Sequence, residues 1–169
     1  TIIVSPKAEE VLASKMLFNL NEPTEYKDTS YIHPTKYMGV WWEMIIGKSQ
    51  WAYSTANNVH IGKTDFTKLT PNGNHAANNT KVKEYIDFAA KNNLDGVLVE
   101  GWNEGWDGDW TADGTAFSFT KPYPDFNLEE ITKYGAEKNV RLIGHQETAG
   151  ANLNYEKKKE DAFLLYNRS

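Results

Sequence analysis

The chain has 169 residues, of which 40% are hydrophobic and 24% charged, and its formal net charge at pH 7 is −5. This length suits one domain with a sizeable core, and an acidic balance without a basic cluster argues against a nucleic acid partner. Cysteine is absent, which excludes disulfides and thiolate chemistry. No apolar stretch reaches the ~18 residues of a membrane span, and the first residues lack the pattern of a signal peptide.

The first half of the chain predicts little regular structure. Residues 8–18 carry a short helical pattern, and residues 19–36 are polar enough to form a surface connection. The apolar run over residues 38–44 ends in charge and predicts a buried strand. Residues 47–79 are rich in Gly, Asn, Thr and Lys, and their Pro-Asn-Gly turn predicts a long loop that can hold a hairpin.

The second half predicts a repeated helix–strand unit. Thr80 is the predicted N-cap of the first helix, with Glu84 in its first turn, and a strand follows over residues 96–101. Asn127 opens the next helix in a variant of the capping box, and a strand over residues 140–146 follows it. A last helix is expected over about 155–166. The pattern predicts an α/β fold with a parallel sheet.

Three strand–helix units of this kind indicate part of a (β/α)₈ barrel, which closes with eight units. Each predicted strand ends in a carboxylate, namely Glu43, Glu100 or Glu147. In such barrels the carboxyl edge of the strands carries the active site. Two carboxyl groups on one rim are what glycoside hydrolysis requires. The alternative is that each glutamate is a solvated or helix-capping residue at the end of a strand.

His145 and the tryptophans of residues 101–114 are the other candidates for binding. His145 can bond a sugar hydroxyl, orient Glu147, or be a satisfied core histidine. Trp102, Trp106 and Trp110 can pack over the rim or stack on sugar. Asp107, Asp109, Asp113 and Gly114 depart from the spacing of a calcium loop. The other histidines, His33, His60 and His75, show no partner spacing and receive no role.

Four stretches resemble glycoside hydrolase family 97, the α-glucosidases and α-galactosidases best known from Bacteroidetes. They are YIHPTKYMGVWWEM (31–44), KEYIDFAAKNNLDGVLVEGWNEGW (83–106), FTKPYPDFNLEEI (119–131) and GHQETAGANLNYE (144–156). The resemblance implies a β-sandwich, a (β/α)₈ catalytic barrel and a C-terminal β domain. Residues 1–169 then correspond to the N-terminal portion of the barrel, with the flanking sandwich and the remainder of the barrel outside this sequence.

The resemblance also implies roles for particular residues. Glu147 matches the water-activating base of the inverting α-glucosidases. Gln146 stands where the family motif has a second histidine. Glu100 lies near the place of the aspartate nucleophile of the retaining members, so a glutamate there favours the inverting branch. The candidate catalytic residues are therefore Glu147 and Glu100, and the candidate substrate-binding residues are His145, Gln146, Trp102 and Trp41.

The rest of the expectation comes from the family alone. The resemblance implies an α-glycoside or oligosaccharide substrate, a calcium ion with most of its ligands outside this chain, and a periplasmic or cell-surface location. Its general acid also lies outside, so we expect the isolated chain to be inactive. A retaining α-galactosidase and a non-catalytic carbohydrate-binding relative remain as alternatives, and oligomeric state stays open.

Overall fold

A computed structural model describes residues 2–57, 59–60, 62–108, 110, 117–148 and 152–168. The chain divides into two compact units, Thr1–Pro34 and Thr35–Ser169. The first unit contains two short helices, α1 (Ala8–Ala13) and α2 (Met16–Asn19). The single helix predicted over 8–18 is therefore wrong in its middle: Ser14 is extended and ends α1, which buries none of its residues and so has no packing to prolong it.

The second unit is built on a parallel sheet of three strands. These are β1 (Tyr37–Val40), β2 (Gly96–Val99) and β3 (Arg141–Gly144), in the order β1-β2-β3. Val40 pairs with Val99, and Val99 pairs with Gly144, so the three strands end level with one another. The predicted α/β class and parallel sheet are confirmed. The residue that follows each strand leaves the sheet at the same edge.

Two helices cross between the strands and cover the sheet. α4 (Asn79–Lys91) contacts β1 and β2, α5 (Leu128–Glu137) contacts β3, and the two helices contact each other. Their apolar faces supply the core where they meet the sheet, with Val82, Ile86 and Ala89 from α4, Ile131 from α5, and Val97 and Val99 from β2. α6 (Asn152–Tyr166) begins three residues before its predicted start.

The predicted helix start at Thr80 is wrong. Asn78 is the N-cap of α4, because its side chain accepts from the backbone N–H of Lys81. Glu84 consequently lies beyond the first turn. Two predicted strands also extend too far, because β2 ends at Val99 and β3 ends at Gly144.

The strand predicted over 38–44 is replaced after Val40 by a short helix, α3 (Trp42–Ile45). Glu43 therefore does not reach the edge of the sheet. Its carboxylate accepts from Tyr85 Oη at 2.9 Å and lies 3.9 Å from Lys81 Nζ, both on α4. Burial and this carboxylate raise the pKa of Tyr85 to about 12. Glu43 is part of the packing between α3 and α4.

The long loop between α3 and α4 closes on itself. A parallel bridge joins Gln50 to His75, and an antiparallel bridge joins Ser54 to Pro71. A 3₁₀ turn, Phe66–Lys68, lies between the two paired segments. We call residues 50–76 the paired loop.

Across the described residues, no helix is both long and apolar enough to cross a membrane.

Candidate active site

The candidate site lies where β2 and β3 end. Because the strands end level, Glu100 and His145 leave neighbouring strands at the same edge. His145 Nε2 lies 3.7 Å from Glu100 Oε1. One ligand atom from each of Glu100, His145 and Glu147 lies within 4.8 Å of the other two, and all three residues are half-buried. The structure thus brings together three of the residues that the sequence singled out.

The carboxylate of Glu100 is held by a residue that sequence reasoning missed. Trp51 Nε1, in the paired loop, donates to Glu100 Oε2 at 2.9 Å. Gly101 follows Glu100 with a φ of +83°, a conformation that side-chain-bearing residues rarely adopt. A Cβ on Gly101 would stand 3.4 Å from Trp51 Cδ1, so the indole lies directly against this turn. No local pattern marks Trp51, because 49 residues separate it from Glu100.

Glu147 and His145 are anchored through the backbone. The backbone N–H of Thr148 donates to Glu147 Oε1 at 2.8 Å. Trp102 Nε1 donates to the carbonyl oxygen of His145 at 2.9 Å. The Nδ1 atom of His145 is buried, and the described residues offer it no hydrogen-bond partner. A buried polar atom without a partner is costly, so this atom is a natural contact for water or a ligand.

The two tryptophans predicted to bind substrate are placed differently from His145. Trp102 is only 1% exposed and packs in the main core near Phe126. Its ring presents no open face, and its contact with the site is the hydrogen bond to His145. Trp41 is half-buried, and its ring leans back over Gly39 so closely that a Cβ there would lie 1.6 Å from Cζ3. The burial of Trp102 leaves its ring no open face for stacking, and the ring of Trp41 packs against Gly39.

Gln146 forms its hydrogen bonds outside the three clustered side chains. Its Nε2 donates to the carbonyl oxygen of Phe119 at 3.0 Å and to Tyr166 Oη at 2.7 Å. Burial raises the pKa of Tyr166. The glutamine therefore ties the end of β3 to the last turn of α6. Its Oε1 is buried without a partner among the described residues.

The tryptophans after β2 form an aromatic cluster with the paired loop. Trp51 and Trp106 stack with centroids 6.1 Å apart, and Trp110 lies 5.0 Å from Trp106. Asp107 accepts from the backbone N–H and hydroxyl of Ser54 at 2.8 and 2.7 Å. Tyr123 Oη also donates to it. These bonds give Asp107 a structural role, and Asp109, Asp113 and Gly114 lie outside the described residues.

His75, assigned no role from the sequence, is buried in the same region. Its Nδ1 lies 2.9 Å from Asp125 Oδ2, and its Nε2 lies 3.0 Å from the carbonyl oxygen of Gly101. The exposed fraction of its side chain is 2%. The only signal in the sequence was the histidine itself, since Asp125 lies 50 residues further on.

The clustered side chains fit a calcium ion only in part. Calcium takes 6–8 oxygen ligands. Glu100 and Glu147 offer carboxylate oxygens within reach of one another, whereas His145 offers nitrogen. Within the described residues, no further carboxylate joins this group.

A parallel α/β sheet whose carboxyl edge gathers two glutamates and a histidine has the groups of a carbohydrate-cleaving hydrolase. Comparison with known proteins makes this specific. The family model described as glycoside hydrolase 97 matches residues 41–169, more than half of the chain. The chain belongs to glycoside hydrolase family 97.

Solved structures of the family are similar to this chain along most of its length. A family 97 enzyme from Pseudoalteromonas sp. strain K8, in complex with acarbose, is 45% identical over 92% of this chain and 21% of that one, with a TM-score of 0.76. A glutamate-to-glutamine variant from the same strain, in complex with panose, is 44% identical with a TM-score of 0.79, covering 97% of this chain and 22% of that one.

A curated relative is more distant. The retaining α-galactosidase of Bacteroides thetaiotaomicron is 26% identical over 142 residues, or 83% of this chain and 17% of that protein. The chain thus spans about a fifth of the length of the relatives that it matches.

Proposed function

We propose that residues 1–169 are the N-terminal portion of a (β/α)₈ catalytic domain in an exo-acting, inverting α-glucosidase. The observation that carries the proposal is the meeting of Glu100, His145 and Glu147 at one edge of the parallel sheet. Glu147 is the base that removes a proton from the attacking water. The Thr148 N–H on Oε1 fixes the orientation of this carboxylate.

The spacing of the two glutamates supports a division of labour. One oxygen of Glu100 lies within 4.8 Å of one oxygen of Glu147. The acid and base of an inverting glycosidase stand about 6.5–9.5 Å apart, so that water fits between base and sugar. So close a pair leaves little room for that water, so we do not assign Glu100 as the general acid. In the proposed enzyme Glu100 binds substrate or supports Glu147, and the family resemblance places the acid in a later segment.

The relatives support the proposed substrate, and the family resemblance implies the proposed cofactor and location. The more similar structures hold acarbose and panose. We therefore propose an α-linked gluco-oligosaccharide as substrate, with His145 bonding a sugar hydroxyl. Calcium would draw oxygen ligands from Glu100 or Glu147 together with residues outside this chain. The same resemblance extends the proposal to a periplasmic or cell-surface location.

A retaining α-galactosidase is the second candidate. A close pair of carboxyl groups, about 5–5.5 Å apart, is the arrangement that retaining glycosidases use. The similarity to the retaining α-galactosidase of B. thetaiotaomicron is consistent with it. The identity to this α-galactosidase, 26%, is lower than the 45% to the family 97 enzyme that holds acarbose, which supports our preference for the first candidate.

The deciding experiment follows the anomer of the first product by NMR. The natural polypeptide that carries this chain is given an aryl α-glucoside and an aryl α-galactoside. Initial release of β-glucose supports the proposal. Initial release of α-galactose would establish the second candidate instead. Sugar binding without hydrolysis of either substrate would identify a non-catalytic carbohydrate-binding relative.

A further inference from the structure

His75 is a buried histidine whose two ring nitrogens both face acceptors. Nδ1 lies 3.0 and 2.9 Å from the two carboxylate oxygens of Asp125. Nε2 lies 3.0 Å from the carbonyl oxygen of Gly101. Carbonyl and carboxylate oxygens accept but do not donate. Both contacts are satisfied only when the ring carries a proton on each nitrogen, with Asp125 as the compensating charge.

The paired loop delivers this histidine and Trp51 to the same point. Gln50 bridges to His75, and the backbone N–H of Ala76 donates to the carbonyl oxygen of Gln50 at 3.1 Å. Trp51 is the next residue. Its indole donates to the carboxylate of Glu100, whereas His75 donates to the carbonyl of Gly101. Two segments of the paired loop therefore hold two successive residues, Glu100 and Gly101, that follow β2.

The surroundings of His75 suit a charged ring. The rings of Tyr53 and Tyr123 lie with centroids 6.2 and 5.1 Å from its own. Tyr123 donates to the buried carboxylate of Asp107. Burial, with Asp125 and Asp107 nearby, raises the pKa of Tyr53, and burial with Asp107 raises that of Tyr123. The two tyrosines thus stay neutral, and the charges facing the imidazole are negative.

We propose that the His75–Asp125 pair is a positioning device for Glu100. The doubly protonated ring fixes the carbonyl of Gly101, and through it the turn at φ +83° from which the carboxylate of Glu100 projects. Within the described part of the chain, His75 bonds Asp125 and the carbonyl of Gly101 and not the three clustered side chains, so it acts through the backbone. The proposal rests on the proposed function only in assigning Glu100 to the active site.

The first test observes the ring directly, by NMR of the natural polypeptide labelled with ¹⁵N-histidine, with the His75→Gln variant used for assignment. We expect protons on both ring nitrogens of His75. In Asp125→Asn the new amide can donate to Nδ1, so this nitrogen should lose its proton while Nε2 keeps its own. A single protonated nitrogen in the unmodified protein would overturn the proposal, whether or not the protein hydrolyses glycosides.

The second test is a set of variants with kinetic readouts. In His75→Gln the amide can donate to Gly101 but then turns its oxygen towards Asp125. We expect kcat to fall about tenfold or more, with a smaller change in KM, because a displaced Glu100 no longer supports the base Glu147. His75→Gln combined with Asp125→Asn restores a donor on each contact and should recover most of kcat. The exposed His60→Gln is the control and should match the unmodified protein.

The two tests separate the possible failures. A folded His75→Gln variant with unchanged kcat, or a double variant no faster than the single one, would overturn the positioning role. If His75→Gln does not fold, we compare the kcat of Asp125→Asn with that of the double variant. Equal kcat values support the positioning role, and a much lower kcat in the double variant contradicts it. A protein without any glycosidase activity refutes the proposed function alone, since the NMR test stands apart from activity.

Discussion

At the scale of residues, one N–H donor orients each glutamate of the site, and the two donors lie on different parts of the chain. Glu100 is held by the indole of Trp51, and Glu147 by the backbone of Thr148. Hydrogen bonds to an ionised carboxylate are about twice as strong as neutral ones. Such bonds restrict the carboxylates to one orientation, which a base needs in order to meet the attacking water.

Glu147→Gln removes the proposed base while keeping the size of the side chain. We expect kcat on an aryl α-glucoside to fall by about 10²- to 10⁴-fold, the usual contribution of general acid–base groups. Thermal unfolding should be nearly unchanged, because the amide oxygen can still accept from Thr148. The exposed Glu137→Gln is the matched control. Turnover equal to that of the control would remove Glu147 from the mechanism.

Glu104 gives a prediction about pH and stability. It is 2% exposed and pairs with Lys121 Nζ at 2.7 Å. Burial raises the pKa of Glu104 above its ordinary value, and Lys121 opposes this only in part. A carboxyl group whose folded pKa is raised stabilises the fold below its unfolded pKa, and this stabilisation is lost as pH rises through the folded pKa.

Glu104→Gln should therefore raise the free energy of unfolding at neutral pH relative to the unmodified protein. The difference should vanish near pH 4, because the carboxyl group of Glu104 is then neutral, as the amide of the variant is at every pH. Urea denaturation at the two pH values measures it, with the exposed Glu129→Gln as control. A variant that is less stable than the unmodified protein at pH 7 would show that the bond to Lys121 outweighs burial.

At the scale of elements, the repeated unit is closed by asparagine at both ends of its helices. Asn78 and Asn127 are the N-caps of α4 and α5. Asn93 and Asn139 follow the two helices with φ values of 54° and 58°, the left-handed conformation that asparagine tolerates better than most residues. The similar stretches Lys-Asn-Asn (91–93) and Glu-Lys-Asn (137–139) both form this turn into the next strand.

Asn127→Ala removes a cap and should cost about 1 kcal/mol of stability. The side chain of Asn127 accepts from the backbone N–H of Glu130 at 3.0 Å. Among the described residues, no other side chain accepts from this N–H. The capping box is only half formed, because Glu130 instead bonds Asn79 and Lys83. Asn127→Asp keeps the acceptor and should be close to unmodified. Equal losses for the two variants, measured by chemical denaturation, would contradict the capping role.

At the scale of the whole molecule, the three strands gather part of a site. The described residues bring two carboxylates and a histidine to one edge. They also leave His145 Nδ1 and Gln146 Oε1 buried without partners there. Polar atoms in that condition are normally satisfied by water, ligand or further protein. Among the described residues these two atoms are therefore open to such partners.

A polypeptide of residues 1–169 alone should not hydrolyse an aryl α-glucoside. The family resemblance places the general acid and most calcium ligands in other segments, so Glu147 would act as a base without its acid. The measurement is a long assay beside the natural polypeptide that carries the chain. Chelation of calcium should abolish activity of the latter and leave the former unchanged. Detectable hydrolysis by the short polypeptide would show that residues 1–169 hold a complete site.

The sequence by itself determined the parallel repeat and the edge at which Glu100 and Glu147 meet. Both follow from local patterns. Apolar periodicity defines the helices and strands, and the strands of successive similar helix–strand units end at the same edge of a parallel sheet. The error at Glu43 was also local, because an apolar run can continue as a helix as readily as a strand. The family likewise was readable from four long motifs.

Only the tertiary structure decided which groups hold those glutamates. Trp51 and His75 reach the end of β2 because two segments of the paired loop lie side by side, at sequence separations of 49 and 26 residues from their partners. The burial of Trp102 and the diversion of Gln146 to Tyr166 have the same origin. Contacts of this length depend on the path of the backbone, which no periodicity or spacing in the sequence records.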